Sequence, residues 1–239
     1  GQVFFQDYLN LWIILFGVMY KPRALFVTFE GIEGSGKSYQ SKKLFKKLKK
    51  KNISSILTRE PGGTISAEKI RKVILEDYFH PDSKEKFNKY TDTLLYLAAR
   101  NEHVQNKIRP EIFKKRVIIC DRFTDSTLAY QVYGKGVDKR LIDSIHKHIL
   151  VGIKPDLTIV LKVNILKALK RINERGKKNR YDKFSKSFYI KVQNAFVKIA
   201  KKNKKKYLVL DNSRDSNEIE KIILKRILDK LKKWLLKSK

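Results

Sequence analysis

Phe29-Glu30-Gly31-Ile32-Glu33-Gly34-Ser35-Gly36-Lys37-Ser38 is the stretch whose reading decides the fold. From Gly31 onward it fits the spacing G-x-x-x-x-G-K-[ST]. The glycines let the backbone curl with its N–H groups turned inward, and the helix after them presents the positive end of its dipole. Such a concavity holds a polyphosphate. The flanks supply the required context. Residues 24–29 are a short apolar run rich in β-formers, and residues 39–51 place Leu44, Phe45 and Leu48 on one helical face. Gly31, Ile32, Glu33, Gly34, Ser35 and Gly36 would wrap the phosphates. Lys37 is expected to reach the β- and γ-phosphates, and Ser38 to hold Mg²⁺ through its hydroxyl. The loop therefore points to a chain that uses a nucleoside triphosphate.

At 239 residues the chain has room for one well-buried α/β domain, read as residues 19–239, and not for two. Lys and Arg number 55 against 24 Asp and Glu, a formal net charge of +31. Charge of that size alone would point to nucleic acid or an anionic membrane surface. Here, however, the lysines run along every predicted helix (Lys42-Lys43, Lys46-Lys47, Lys201-Lys202, Lys232-Lys233) without the interleaved aromatic residues of a base-stacking surface. They read as solvated faces, and no specific nucleic-acid partner is expected. The single cysteine, Cys120, excludes an internal disulfide and a cysteine-based zinc site, and it fits a reducing cytoplasm. The apolar stretch 9–19 falls short of the ~20 residues that cross a bilayer. Residues 1–18 lack the basic start of a signal peptide, so no membrane association is expected. Met19 stands just before the first strand, and residues 1–18 are read as an upstream extension of a folded unit that begins near residue 19.

Beyond the first helix, strands are expected at 53–58, 117–120, 157–163 and 207–210. Helices are expected at 65–75, 84–108, 125–132, 138–150, from 164 to 175, up to about 205, and at 217–236. A basic, aperiodic stretch at 176–186 separates the helix that ends at 175 from the one that ends near 205. Strands alternating with helices in this way predict an α/β P-loop NTPase fold, a five-stranded parallel sheet with helices on both faces.

Residues downstream of the loop narrow the class within that fold. A guanine reader N-K-x-D is missing, since Asn88-Lys89-Tyr90-Thr91-Asp92 sets its aspartate one place late. At the end of the buried strand, Asp121 is followed by Arg122, a cation suited to a second anion such as the phosphate of an acceptor, where a hydrolase would place an acid for its water. Kinase chemistry is the better reading. Two other readings stay open: another nucleoside or nucleoside-monophosphate kinase, and a nucleic-acid-binding P-loop ATPase.

The phosphate loop, Thr58-Arg59-Glu60-Pro61-Gly62-Gly63-Thr64, Tyr96-Leu97-Ala98-Ala99-Arg100, Asp121-Arg122-Phe123, Ser126-Thr127-Leu128-Ala129-Tyr130-Gln131 and Lys154-Pro155-Asp156-Leu157-Thr158, in this order and spacing, resemble the signatures of the bacterial thymidylate kinase family. The resemblance runs from about residue 21 to the C-terminal helix. It implies transfer of the γ-phosphoryl group of ATP to dTMP, giving dTDP and ADP for dTTP synthesis, with Mg²⁺, by a cytoplasmic homodimer. It also assigns roles. Arg59 and Arg122 hold the dTMP phosphate, Arg59 as a catalytic residue with Lys37. Tyr96 stacks on the base and Arg100 donates to its edge. Ser126 and Gln131 also read the base, Tyr130 lies on the sugar side, and Glu33 reaches the 3′-hydroxyl. Asp121 supports Mg²⁺ and orients Arg122. Gly34 stands where some relatives carry an arginine, so positive charge is expected from a lid at about 171–186, with Arg175 and Arg180 favoured over Arg171. The acceptor phosphate has a second pKa of about 6 and is already nucleophilic at neutral pH, so no general base is required. The histidines His80, His103, His146 and His148 fall outside these motifs.

Overall fold

The period-two alternation of a strand covered on both faces sets the two helical layers of this protein, described here from a computed structural model. The structure describes residues 24–76, 86–176, 179–213 and 217–236, and the extension read at 1–18 lies outside them. Strands β1 (Leu25–Glu30), β2 (Ser55–Arg59), β3 (Val117–Asp121), β4 (Leu157–Lys162) and β5 (Tyr207–Asp211) form one sheet in the order β2-β3-β1-β4-β5, every pairing parallel. The helices are α1 (Lys37–Lys50), α2 (Ile65–Leu75), α3 (Lys89–His103), α4 (Arg109–Phe113), α5 (Thr124–Thr127), α6 (Lys139–Leu150), α7 (Ile165–Glu174), α8 (Lys186–Lys201) and α9 (Asn217–Leu236).

β1 is buried along its whole length. Leu25, Val27 and Phe29 pack with Leu44 and Leu48 of α1 and with Ile219, Ile223 and Ile227 of α9. Phe26 faces the other way, toward Val104, Ile108, Ile118 and Phe123. Cys120 lies in the same buried cluster, where burial pushes its thiol well up and leaves it protonated. With β1 flanked by β3 and β4, the chain reverses its winding direction there. In open α/β sheets ligands bind at the carboxyl ends of the strands at that point.

The boundaries depart from the sequence reading for local reasons. β2 starts at Ser55, later than expected, because Ile53 N–H still bonds back to Leu48 O at 3.0 Å and Asn52 takes a left-handed φ of 54°. Those residues finish α1. The long helix expected at 84–108 begins, within the described residues, at α3, where Asn88 accepts from Tyr90 N–H. It then widens into π turns at Val104–Ile108 before α4. The helix expected at 125–132 is the single turn α5 followed by π turns over Leu128–Gly134, closed by Lys135 N–H to Tyr130 O at 2.9 Å. α8 ends at Lys201, where Lys206 and Tyr207 N–H turn back onto Asn203 O, four residues short of expectation. The basic stretch holds a short 3₁₀ turn, Arg180–Lys183, capped reciprocally by Asn179 and Asp182.

Ile159 is fully buried in β4 between Phe29 and Leu208. Ile159→Ala is expected to lower the unfolding free energy measured in urea by roughly 3 kcal/mol, the usual cost of an apolar cavity. A loss below about 1 kcal/mol would contradict the packing described.

Candidate active site

The phosphate loop joins the end of β1 to α1. Gly34 and Gly36 sit at φ 72° and 89°, a region that disfavours any side chain. A Cβ at Gly34 would run into the Ala168 carbonyl of α7, and one at Gly36 into the Asn212 amide. The close approach of α7 leaves no room for an arginine at position 34. Inside the loop the Lys37 ammonium donates to Ile32 O at 2.8 Å. Burial, with the charge of Arg122 adding to it, pulls Lys37 down to about 8 against the opposing pull of Asp121, Glu33 and Glu30. The Ser38 hydroxyl donates to Asp121 Oδ2, while Asp121 Oδ1 is buried without a hydrogen-bond partner.

Arg122 lies directly beyond the end of β3, with its backbone at φ 73° and its N–H donated to Phe29 O at 2.9 Å. Its guanidinium spans the gap between the loop and α5. Nη1 donates to Gly31 O at 3.0 Å and to Ser126 Oγ at 3.1 Å, and Nη2 to Glu33 Oε1 at 2.7 Å. The other Glu33 oxygen accepts the Tyr130 hydroxyl. Burial works against the Arg122 charge, and Glu33 outweighs it, so the guanidinium is held firmly protonated. Beneath this layer the buried Glu30 accepts from Phe123 N–H at 2.8 Å and from Ser126 Oγ at 2.6 Å. Burial, with the charge of Asp125 adding, pushes the Glu30 carboxyl up to about 8.

Arg100 is only 2% exposed, far from the solvated arginine that four-residue helical spacing usually delivers. Nε donates to Glu60 Oε2 at 2.7 Å, Nη1 to Thr127 Oγ1 at 2.7 Å and to His146 Nε2 at 2.9 Å, and Nη2 to Phe123 O at 2.9 Å. Of the five N–H groups of a guanidinium, one on Nη2 is left over. Arginine cannot accept a hydrogen bond, so His146 Nε2 is the acceptor. Burial and the Arg100 charge push this imidazole down to about 3, which keeps it neutral. The second Glu60 oxygen pairs with His103 Nδ1 at 3.0 Å, and His103 Nε2 pairs with the Thr58 hydroxyl at 2.7 Å. Glu60 thus braces Arg100, and two histidines that carry no motif complete the frame.

A cavity of about 430 Å³ opens over these groups. Of the residues singled out in the sequence, it is lined by Glu33, Gly34, Gly36, Lys37, Ser38, Arg59, Tyr96, Arg100, Asp121, Arg122, Ser126, Tyr130, Gln131 and Arg175. Gln131 Nε2 is buried there without a partner. Arg59, half exposed at the rim, forks onto both oxygens of Glu68 at 3.0 Å. Arg180 is placed differently from the sequence reading. It does not line the cleft; Nε donates to Ile74 O at 3.0 Å and Nη2 pairs with the buried Asp92, which draws the side chain away from the phosphate loop. Arg71 and Tyr181 also line the cleft, and neither was singled out in the sequence; of the lid candidates, the less favoured Arg171 lines it and Arg180 does not. Arg71 donates to Pro61 O at 2.7 Å, and Arg171 to Gly34 O at 3.0 Å and Asn212 O at 3.3 Å. Arg171 also borders a second cavity of about 410 Å³, walled by Gly36, Tyr39, Gln40, Asn212, Asn217 and Glu220.

A phosphate loop at a sheet switch point, with arginines gathered on the far side of the same cleft, is the site of a P-loop nucleotide kinase. Comparison with known proteins narrows this: the sequence profile of the family "Thymidylate kinase" matches residues 29–223. The chain belongs to the thymidylate kinase family. It is 37% identical to the thymidylate kinase of Mycoplasma capricolum over 211 residues, covering 87% of this chain and 96% of that protein. It is 42% identical to the thymidylate kinase of Wolbachia pipientis subsp. Culex pipiens over 212 residues, covering 84% and 97%. The crystal structure of thymidylate kinase from Ehrlichia chaffeensis superposes with a TM-score of 0.66 at 32% identity, covering 86% of this chain and 99% of that one. Among the described residues no helix is long and apolar enough to cross a membrane.

The raised Glu30 carboxyl has a consequence for stability. A folded value of about 8 against an ordinary 4.5 means the contribution is fully present below pH 4.5 and is lost as the pH rises through about 8. Glu30→Gln keeps the shape, accepts from Phe123 N–H and donates to Ser126 Oγ. Urea midpoints at pH 6 and pH 9 are expected to differ less in the variant than in the parent. Equal pH slopes would mean that Glu30 is already ionised at pH 6.

Proposed function

We propose that this chain transfers the γ-phosphoryl group of ATP to the phosphate of dTMP, yielding dTDP and ADP. The observation that carries the proposal is that Lys37, Asp121, Arg122, Arg100 and Gln131 line a single cleft. The triphosphate of ATP lies in the loop, on its inward N–H groups and Lys37, and the second cavity receives the donor's base. The acceptor phosphate lies among Arg59, Arg71 and Arg122, with the thymine ring against Tyr96. The base side of the cleft is rich in donors: the remaining Arg100 N–H and the unpartnered Gln131 amide nitrogen. Donors of this kind match the carbonyl oxygens of thymine. Ser126 borders the same base, Tyr130 stands on the sugar side, and Glu33 is offered to the 3′-hydroxyl.

The residues at the loop fit Mg²⁺. Ser38 Oγ and Asp121 are hard oxygen donors, and Asp121 Oδ1 is buried without a partner. One carboxylate with substrate phosphates and waters is the ligand set this ion favours. When bound it neutralises charge on the transferring phosphates. The protein's own part is alignment. Lys37 and Arg59 hold the two phosphate groups in line, and Arg171 and Arg175, at the end of α7, supply charge where it develops. The acceptor phosphate needs no base to activate it. The family resemblance supports a homodimer, and with the lone cysteine it supports a cytoplasmic setting.

Lys37→Met is expected to abolish dTMP-dependent ADP release while leaving the circular dichroism spectrum unchanged; turnover within a few-fold of the parent would contradict the assignment. Across dTMP, dUMP, AMP, GMP, CMP and thymidine, dTMP is expected to give the highest kcat/KM, and preference for another acceptor would move the chain to a different nucleotide specificity. Arg175→Ala is expected to lower kcat at least about tenfold with little change in the KM for dTMP. An unchanged kcat would remove Arg175 from the phosphate charge.

A further inference from the structure

Asp92 is the aspartate that stands one place too late to read guanine, and the kinase reading gives it no role. It lies in the first turn of α3 with its side chain 1% exposed, and three side-chain donors converge on it. Lys135 Nζ and Tyr181 Oη donate to Oδ2, the latter at 2.5 Å, and Arg180 Nη2 donates to Oδ1. Burial pushes this carboxyl up, and Lys135, Tyr181 and Arg180 outweigh it and hold it below the usual carboxylate range. The three donors come from two separate segments: Lys135 ends the π turns after α5, and Arg180 and Tyr181 belong to the 3₁₀ turn between α7 and α8. Lys135 also reaches Tyr181 Oη at 3.1 Å and lies over its ring, 4.8 Å from the centroid. Arg180 adds its bond to Ile74 O of α2.

Together these contacts fix a wall of the acceptor cleft. Tyr181 lines that cleft. Its ring meets Tyr96 edge-on with centroids 5.7 Å apart and Tyr130 at 6.2 Å. The Tyr189 hydroxyl bonds to Tyr181 O at 2.7 Å from behind. Edge-to-face rings transmit position because their close contact leaves little lateral play. The 3₁₀ turn is only four residues long and shares no sheet or helix pairing with the rest of the fold. Its seat therefore rests on side chains.

We infer that Asp92 is a positioning residue that latches the lid turn to α3 and so sets Tyr181 and Tyr96 as the walls of the acceptor base pocket, with Arg180 acting through Asp92 and not on the phosphates. The kinetic half of this inference rests on the function proposed above; the structural half does not. Removing the charge leaves Lys135 and Arg180 as two cations facing each other in a half-buried site, which opens the turn.

The test compares the parent chain with Asp92→Asn, Asp92→Glu and Tyr181→Phe. In the ligand-free protein, amide hydrogen exchange of residues 179–184 is expected to quicken by about tenfold or more in Asp92→Asn, with β1 and β3 unaffected. Asp92→Glu is expected to restore part of the protection. With ATP saturating, the KM for dTMP is expected to rise about tenfold in Asp92→Asn while kcat and the KM for ATP stay within about threefold. Tyr181→Phe, which keeps the ring and loses one bond to Asp92, is expected to fall between, and it serves should Asp92→Asn fail to fold. Unchanged lid exchange in the variants, or a fall in kcat without a rise in the dTMP KM, would overturn the latch. A parent without dTMP kinase activity whose lid exchange still answers to Asp92 would overturn the function and leave the latch standing.

Discussion

The span of Arg122 from β3 to the phosphate loop is the constraint on which the rest of the site depends. Its backbone N–H bonds to Phe29 O, and its guanidinium bonds to Gly31 O, Ser126 Oγ and Glu33. A non-glycine residue at positive φ costs on the order of 1 kcal/mol, which these contacts offset. The result is that the end of β3, the donor loop and α5 keep one arrangement. A phosphate on either side of Arg122 meets a fixed partner. Because the side chain is largely removed from solvent, its charge needs an anion, and Glu33 supplies one from the loop.

The same logic governs the wall of the cleft around Arg100. Arg100 would be costly to bury alone, and Glu60, Thr127, the Phe123 carbonyl and neutral His146 satisfy it. Such a network adds little net stability compared with an apolar core, and its value lies in orientation. One guanidinium N–H is left over on a side chain that lines the cleft and is held by four others. The Asp92 cluster repeats the device on the opposite wall, where cations from two segments converge on one carboxylate.

Much of this was legible in the chain. The phosphate loop, the buried run of β3 and the alternation of strands and helices are contiguous patterns, and the parallel sheet is their direct consequence. Tyr96, Arg100, Arg122, Ser126, Tyr130 and Gln131 come together because each lies in a short motif at the carboxyl end of a strand or on the helical segments that follow it. Partnerships across long separations escaped the sequence. His103 meets Thr58 across 45 positions and His146 meets Arg100 across 46. No spacing rule reaches that far. The π turns at Val104–Ile108 and Leu128–Gly134 hide within helical periodicity, since they alter it by about one residue per turn. Arg180 shows the limit of reading charge alone. A basic stretch near a phosphate site looks like a phosphate ligand until its partner, Asp92, 88 positions upstream, is seen. Arg71 sits in an ordinary amphipathic helix, and only the folding of α2 toward the loop brings it to the cleft.

The central claim is that donor and acceptor occupy separate compartments of one cleft that meet at Arg122. Calorimetric titration of dTMP into the protein, first alone and then saturated with ADP, tests it most directly. Binding of dTMP at one site per chain, retained within about tenfold when ADP is present, is the expected result. Displacement of one nucleotide by the other would mean a single shared site, and the two-compartment account would be wrong.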